Sequence, residues 1–275
     1  MAAAGVEQPR LDAELLLAEA AGMDRARLVA DPGAELPTAA GRRFGEMVRR
    51  RLRREPVAYI LGRRGFRRIE LEVDRRVLIP RPESELLVEL ALELEPRSVL
   101  DVGTGSGALA LAIADELPGC RVIATDTSRE ALELASANSR RLGLDDRVSF
   151  QQGSVPAAVK VDLLVANLPY VAEREWATLQ PELTRWEPRE ALLGGLDGLD
   201  AIRALLATIS APLGAGPISA HSAERNAAVP AAVALEVGDG QAEAVSRLLT
   251  GAGFDEVEVR RDLAGIDRVV WGRRA

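Results

Sequence analysis

Cysteine and histidine are almost missing from this chain: Cys120 and His221 stand alone among 275 residues. One thiol excludes an internal disulfide framework, and one Cys with one His makes no metal-binding cluster, so no metal site is expected. Cys120 reads as a small residue at the edge of a core and His221 as a loop residue. Long apolar runs are missing too. None approaches the roughly 20 residues that span a bilayer, and the N-terminus lacks the basic-then-apolar layout of a secretory signal. A cytoplasmic protein without membrane contact is the expectation. Lysine is scarce, with Lys160 the only one, so arginine carries the positive charge.

What is present is enough apolar sequence for a sizeable core, at 47%, in a chain whose length suits two domains. The net charge of −7 hides an asymmetry: between Gly41 and Pro82 there are 14 Arg against 5 Asp or Glu, leaving +9 there and −16 elsewhere. Such a window can attract nucleic acid or an acidic partner protein. It is equally the solvated helix face of an Arg-rich protein.

Three regions follow in order. Residues 6–22 and 38–54 space their apolar residues as amphipathic helices do, with a Pro32-Gly33 turn between them, and predict a helical N-terminal domain over residues 1–61. Apolar and charged residues then alternate on both sides of Asp74, which predicts a two-stranded connector over residues 62–82. From Glu83 to Ala275 strand and helix patterns alternate: "SVLDV", Ala108 to Leu117, "RVIATD", Arg129 to Leu142, "RVSFQ" and "VDLLVAN". That is the signature of an α/β domain with a mostly parallel sheet covered on both faces.

The stretch "VLDVGTGSGALALAIA" ends an apolar strand at Asp101, passes through Gly103, Thr104, Gly105, Ser106 and Gly107, and enters a helix. Glycines let a backbone approach a ligand closely, and the helix N-terminus offers unpaired N–H groups. Asp126 ends the next strand, where a carboxylate can accept hydrogen bonds from ribose hydroxyls. A dinucleotide and S-adenosyl-L-methionine (SAM) both carry such a ribose. Gly107 comes two residues after Gly105 rather than the three of the dinucleotide fingerprint, which tilts the reading toward SAM.

The run "VDLLVANLPYV" ends a strand made for burial in Asn167, Leu168, Pro169 and Tyr170, at the same edge of the sheet as Gly103 and Asp126. Ligands of open α/β sheets gather at that edge. The nitrogen of a carboxamide or of the adenine amine is a poor nucleophile, because its lone pair is delocalised. The Asn167 side-chain oxygen and the Leu168 carbonyl can each accept one of its N–H groups and aim it at a sulfonium methyl, while Tyr170 packs on the planar group. Alignment of this kind supplies up to roughly 7–11 kcal/mol.

Asn-x-Pro-Tyr behind a Gly-rich SAM loop resembles the amino methyltransferases, which include DNA and rRNA adenine-N6 methylases and the PrmC/HemK-type glutamine methyltransferases of peptide chain release factors. "EPVAYILGRRGF" (Glu55 to Phe66), "VLIPRPESELLVE" (Val77 to Glu89), "EPREALLGGLDGL" (Glu187 to Leu199) and "DLAGIDRVV" (Asp262 to Val270) resemble the PrmC/HemK motifs in the same order. The resemblance implies a class-I SAM-dependent methyltransferase with a Rossmann-like seven-stranded sheet, a helical substrate-docking domain and a hairpin between them. It implies N5-methylation of the Gln in the Gly-Gly-Gln motif of class-I release factors, with SAM as donor; a monomer is the expectation. Carried over, it puts SAM against Gly103, Thr104, Gly105, Ser106, Gly107, Asp126, Ser154 and Val155, with Asn167 bridging cofactor and substrate and the Gln lying along Asn167 to Tyr170. Pro80, Arg81, Pro82 and Glu83 resemble a wall near the pocket, with a domain hinge as the other reading. Glu187, Pro188 and Arg189 are expected to buttress the loop after Tyr170.

Three departures stand out. Leu168 occupies the first Pro position of the usual Asn-Pro-Pro-Tyr; it keeps the carbonyl and loses the rigidity, and "NLPY" is the form usual in rRNA adenine dimethylases. Gly153-Ser154 stands where Gly-Asp is usual near the adenine. Residues from about Gly216 to Ala231 form an insertion expected to be a loop. Two further readings thus stay open: a nucleic-acid adenine-N6 methyltransferase using the basic window to grip phosphate, and a SAM-binding module that docks the factor with little catalysis.

Overall fold

The computed structural model describes residues 1–31, 33, 35–156, 160–210 and 230–274. His221, Pro32 and all but the end of the expected insertion lie outside these residues. Among the described residues no helix is long and apolar enough to cross a membrane.

Four helices open the chain: α1 (Pro9–Ala21), α2 (Arg25–Ala30), α3 (Ala40–Leu52) and α4 (Val57–Leu61). Pro9 starts α1, where its missing N–H has no partner to lose, and Gly22 ends it at φ 62°. Asp24 caps α2 by accepting from the Ala26 N–H at 2.8 Å. The sequence pattern predicts α1 and α3; α2 and α4, six and five residues long, are too short to show a period.

Next comes an antiparallel hairpin of β1 (Arg63–Phe66) and β2 (Ile69–Glu72). Its turn lies at Arg67 and Arg68, with Arg67 at φ 51°, and not at Asp74 as the alternation predicted. Asp74 instead closes a separate turn, accepting from the Arg76 N–H at 3.0 Å while its carbonyl takes the Val77 N–H. Alternation continued through this turn because Ile69, Leu71, Val73, Val77 and Ile79 all bury against the main core, strand or not.

The remaining elements are α5 (Glu85–Leu94), β3 (Ser98–Val102), α6 (Ala108–Glu116), β4 (Arg121–Asp126), α7 (Arg129–Leu142), β5 (Val148–Gln152), β6 (Leu163–Ala166), α8 (Pro181–Trp186), α9 (Asp200–Ile209), β7 (Ala232–Glu236), α10 (Ala242–Gly251), β8 (Asp255–Arg261) and β9 (Asp267–Arg273). They build one seven-stranded sheet of order β5-β4-β3-β6-β7-β9-β8, parallel except for β9. Period-two alternation sorts its side chains: Val99, Leu163, Val165 and Ala234 enter the core beneath α5, α6 and α7, whereas Leu100, Val102, Leu164 and Val233 enter the core with α9 and α10. Burial on both faces is why these strands read as unbroken apolar runs.

Order reverses between β3 and β6: β4 and β5 extend the sheet to one side of β3, and β6 and β7 to the other. The carboxyl ends of β3 and β6 therefore flank a topological switch point, where open α/β sheets leave room for a ligand.

The Arg-rich window has a structural use. Nine of its fourteen arginines pair with carboxylates. Arg51, from α3, meets Asp12 and Glu182 at 2.7 Å each, and Arg54 meets Glu182 at 2.5 Å, tying the N-terminal helices to α8. Arg75 lies over the Trp186 ring at 4.1 Å and ties the connector to the same helix.

Candidate active site

The loop after β3 is shaped by its glycines. Gly103, Gly105 and Gly107 all have positive φ, at 79°, 56° and 86°. The Gly103 and Thr104 N–H groups both donate to the Thr125 carbonyl, at 2.8 and 2.9 Å, and so fold the loop onto the end of β4. A Cβ on Gly103 would come within 3.2 Å of the Leu168 side chain, and its φ of 79° is one that L side chains rarely adopt, so glycine suits the close approach of this loop to the segment after β6. Beneath it, Asp101 is fully buried and accepts from Thr104 Oγ1 at 2.6 Å and the Ala110 N–H at 3.2 Å, joining strand, loop and α6. Burial pushes its carboxyl up to about 7.

A cavity of about 460 Å³ opens at the switch point, within the size range of small-molecule sites. Of the residues expected to hold a cofactor, Gly103, Thr104, Gly105, Ser106, Asp126, Ser154 and Asn167 line it. Gly107 does not: it sits at the N-cap of α6, where a Cβ would strike Leu111 at 2.8 Å, so glycine there serves the turn and the packing. Val155 does not line it either, being packed against the core on the α9 side. Asp126 accepts from the Gly105 N–H at 2.9 Å through Oδ2 and from the Ser128 N–H at 2.8 Å through Oδ1. An ionised carboxylate has about four acceptor positions, so both oxygens can still receive ribose hydroxyls. The glycine backbone, this carboxylate and the apolar walls Val102, Leu109, Leu168 and Leu205 suit the adenosine and methionine parts of SAM.

Asn167, Leu168 and Pro169 line the same cavity, and Tyr170 does not. The Tyr170 hydroxyl turns to Glu236 at 3.4 Å, and a Cβ on Gly238 would lie 3.2 Å from its ring. Asn167 Nδ2 donates to Ser84 Oγ at 2.9 Å. No described residue donates to Asn167 Oδ1 or to the Leu168 carbonyl. Two acceptors on residues that line the cavity thus lack a partner among the described residues.

The backbone around them is held from outside. Gly194 and Gly198, in "GGLDG", press so close that a Cβ would fall 2.4 Å from the Pro169 carbonyl oxygen and 2.1 Å from that of Tyr170. Gln241 Nε2 donates to the Tyr170 carbonyl at 2.9 Å. Glu187 buttresses the opposite wall rather than this loop: buried, it accepts from the Ile79 N–H at 3.0 Å and pairs with Arg81. Of the predicted wall, Pro80 and Arg81 line the cavity and Pro82 and Glu83 do not.

Sequence reasoning missed Ser84, Glu236 and Gln241. Only Glu236 carried a signal, as a lone acid closing the buried strand "AVALE". It is 1% exposed and bonds to Ser84 and Tyr170, and burial pushes its carboxyl up to about 7.

A seven-stranded sheet whose strand order reverses, with a glycine loop and a carboxylate lining a cavity at its switch point, defines a class-I SAM-dependent methyltransferase. Family models agree: residues 1–62 match the PrmC N-terminal domain and residues 95–182 a methyltransferase domain. The chain is 39% identical to a release factor glutamine methyltransferase of Caulobacter vibrioides, over 98% of this chain and 91% of that one. It is 42% identical to one of Moorella thermoacetica, over 98% and 92%. The chain belongs to the release factor glutamine methyltransferase family. Among solved structures, the human Mettl16 catalytic domain in complex with an RNA hairpin shares the fold, with TM-score 0.55 and 14% identity over 74% of this chain and 75% of that one. A methyltransferase of Pyrococcus furiosus does so at TM-score 0.51 and 17% identity, over 74% and 88%.

Proposed function

We propose that this protein methylates N5 of the Gln in the Gly-Gly-Gln motif of peptide chain release factors, as a cytoplasmic monomer. One observation carries the reading: the Asn167 amide commits its nitrogen to Ser84, while its oxygen and the Leu168 carbonyl, on two residues that line the cavity beside the glycine loop, accept no hydrogen bond from a described residue. A primary amide has two N–H donors, and two acceptors at the end of one strand match them.

SAM, when bound, supplies an electrophilic methyl group on its sulfonium. Gly103, Thr104, Gly105, Ser106, Asp126 and Ser154 hold it. Asn167 Oδ1 and the Leu168 carbonyl orient the substrate nitrogen and raise its electron density, and Pro169 stiffens the chain that carries them. No strong base is needed beforehand, because the amide proton becomes acidic only when the nitrogen is alkylated. Residues 1–61 dock the factor, residues 62–82 connect, and residues 83–275 perform transfer. The nucleic-acid alternative draws no support from the Arg-rich window, whose arginines are largely engaged by carboxylates.

Release factor treated with this protein and SAM, then mapped by mass spectrometry, is expected to carry one methyl on that Gln. A methyl elsewhere, or none, would overturn the reading. Asn167→Ala is expected to lower kcat by about 10²- to 10³-fold, the usual effect of deleting one aligned hydrogen-bonding group from an active site, while the melting temperature stays near that of the parent.

A further inference from the structure

A 3-10 turn, Pro82–Ser84, runs straight into α5 at Glu85, so Ser84 already has helical backbone angles (φ −66°, ψ −17°) and its side chain is not used as a cap. Here its hydroxyl, 4% exposed, donates to Glu236 Oε2 at 2.5 Å and accepts from Asn167 Nδ2 at 2.9 Å. Glu236 Oε1 takes the Tyr170 hydroxyl at 3.4 Å. Three residues distant in sequence thus converge on Glu236 or its partner, and two of them belong to the Asn-Leu-Pro-Tyr stretch.

We propose that Glu236 and Ser84 are positioning residues that decide which end of the Asn167 carboxamide faces the cavity. The proposal rests on the reading of Asn167 as the acceptor for the substrate amide. An ionised carboxylate only accepts, whereas a hydroxyl has one proton to give. With Glu236 ionised, the Ser84 proton is committed to it, and the Ser84 lone pairs face Asn167. Only the NH2 end of the carboxamide satisfies them, so the oxygen is turned to the other side. A neutral Glu236 has one proton to give, and with that proton on Oε2 the order reverses: Glu236 donates to Ser84, Ser84 donates to the amide oxygen, and the carboxamide turns over. The cavity would then meet the substrate NH2 with another NH2, donor against donor.

The charged and titratable groups facing Glu236 are Glu83 beside Ser84, Arg268 on β9 and Tyr170. Burial and Glu83 favour its neutral form, and Arg268 with the two hydroxyl bonds favours the ion; the balance sits at about 7. The ionised, correctly oriented state is therefore lost as pH falls through that value.

The test uses the whole protein with a release factor as substrate. It measures kcat/KM against pH, the affinity of a Gly-Gly-Gln peptide without cofactor, and the melting temperature, for Glu236→Gln, Ser84→Ala, Ser84→Thr and the double variant Ser84→Ala/Glu236→Gln. Glu236→Gln and Ser84→Ala are each expected to lower kcat/KM on the order of 10²-fold, as loss of one aligned acceptor does. Peptide affinity falls in parallel, and the double variant loses little more than either single one, because both act through one bond chain. Ser84→Thr keeps the hydroxyl and stays within a few-fold of the parent. The acidic limb of the parent profile, near pH 7, is expected to vanish in Glu236→Gln. Wild-type turnover in Ser84→Ala and Glu236→Gln would overturn the proposal, as would additive losses with the acidic limb unmoved. Should Glu236→Gln melt far below the parent, the Ser84→Ala and Ser84→Thr pair decides alone. Retained turnover in Asn167→Ala would sink the broader reading instead; loss there beside an active Ser84→Ala would sink only this one.

Discussion

Carboxylates on the two sides of this molecule are treated in opposite ways. Toward the N-terminal helices and the hairpin they meet arginine. Hydrogen bonds from Arg67 hold Glu116 below the usual carboxylate range and those from Arg76 do the same for Asp74; burial works against the charge of Glu182, but Arg54 and Arg51 outweigh it. At the carboxyl edge of the sheet, Asp101 and Glu236 meet only hydroxyl and backbone donors, and burial pushes both up to about 7. Charge thus clamps helices and hairpin to the catalytic domain, whereas at the sheet edge Asp101 and Glu236 are buried without a bonded arginine and are set by hydrogen-bond direction. Mutation should separate the two regions cleanly: stability on one side, turnover on the other.

The largest effect is expected on the clamping side. Arg51 is 8% exposed and serves Asp12 and Glu182 together. Arg51→Ala leaves both carboxylates buried with one partner fewer, which costs about 3–5 kcal/mol, read by urea unfolding. Turnover of a short Gly-Gly-Gln peptide by the protein that remains folded should hardly change. A large fall in its kcat would break the separation.

Next comes pH. A carboxyl whose folded pKa is raised contributes stability that is complete below its unfolded value and is lost as pH rises through the folded one. For Asp101 and Glu236 the window runs from about 4 to about 7, with a loss on the order of 3–4 kcal/mol each. Glu116 and Asp74 act with the opposite sign, their contribution present above about 4 and lost below it. The melting temperature is therefore expected to fall from pH 5 to pH 8, and Glu236→Gln to remove part of that slope. A slope unchanged in that variant would show that the edge carboxyl titrates normally.

A third effect concerns backbone fit at the edge. Gly198 has φ 83°, and a Cβ there would sit 2.1 Å from the Tyr170 carbonyl oxygen. Gly198→Ala must move the Asn167 to Tyr170 backbone, and a shift of about 1 Å at reacting groups costs roughly 10²-fold in rate. Peptide turnover at fixed folded fraction checks it.

The sequence made this edge legible where chemistry and chain direction coincide. Gly103, Asp126 and Asn167 each close an apolar run, so the parallel-sheet pattern alone gathers them at one edge. Strands buried on both faces and helices of ten or more residues announce themselves by their periods, as β3, β4 and α7 do. The hairpin turn was misplaced because residues after Asp74 alternate for burial without pairing, and periodicity reports burial rather than hydrogen bonding. Ser84 and Gln241 were invisible because their role lies in contacts 83 and 71 residues away. The placing of Tyr170 away from the cavity follows from Glu236, an acid that a single chain pattern cannot connect to it.

The smallest expected effect gives the comparison its control. Arg247 and Glu243 pair on α10 with side chains 68% and 84% exposed. The pair has the same chemistry as Arg51 with Glu182, an ideal i,i+4 spacing and the favourable order of acid before base. Water already solvates both groups, so Arg247→Ala leaves no buried charge and forfeits only a screened attraction, less than about 0.5 kcal/mol. The change should shrink further in high salt. If Arg247→Ala cost as much as Arg51→Ala in the same unfolding experiment, burial would not be what separates the clamp from an ordinary surface pair, and the contrast between the two sides of the molecule would have to rest on the sheet edge alone.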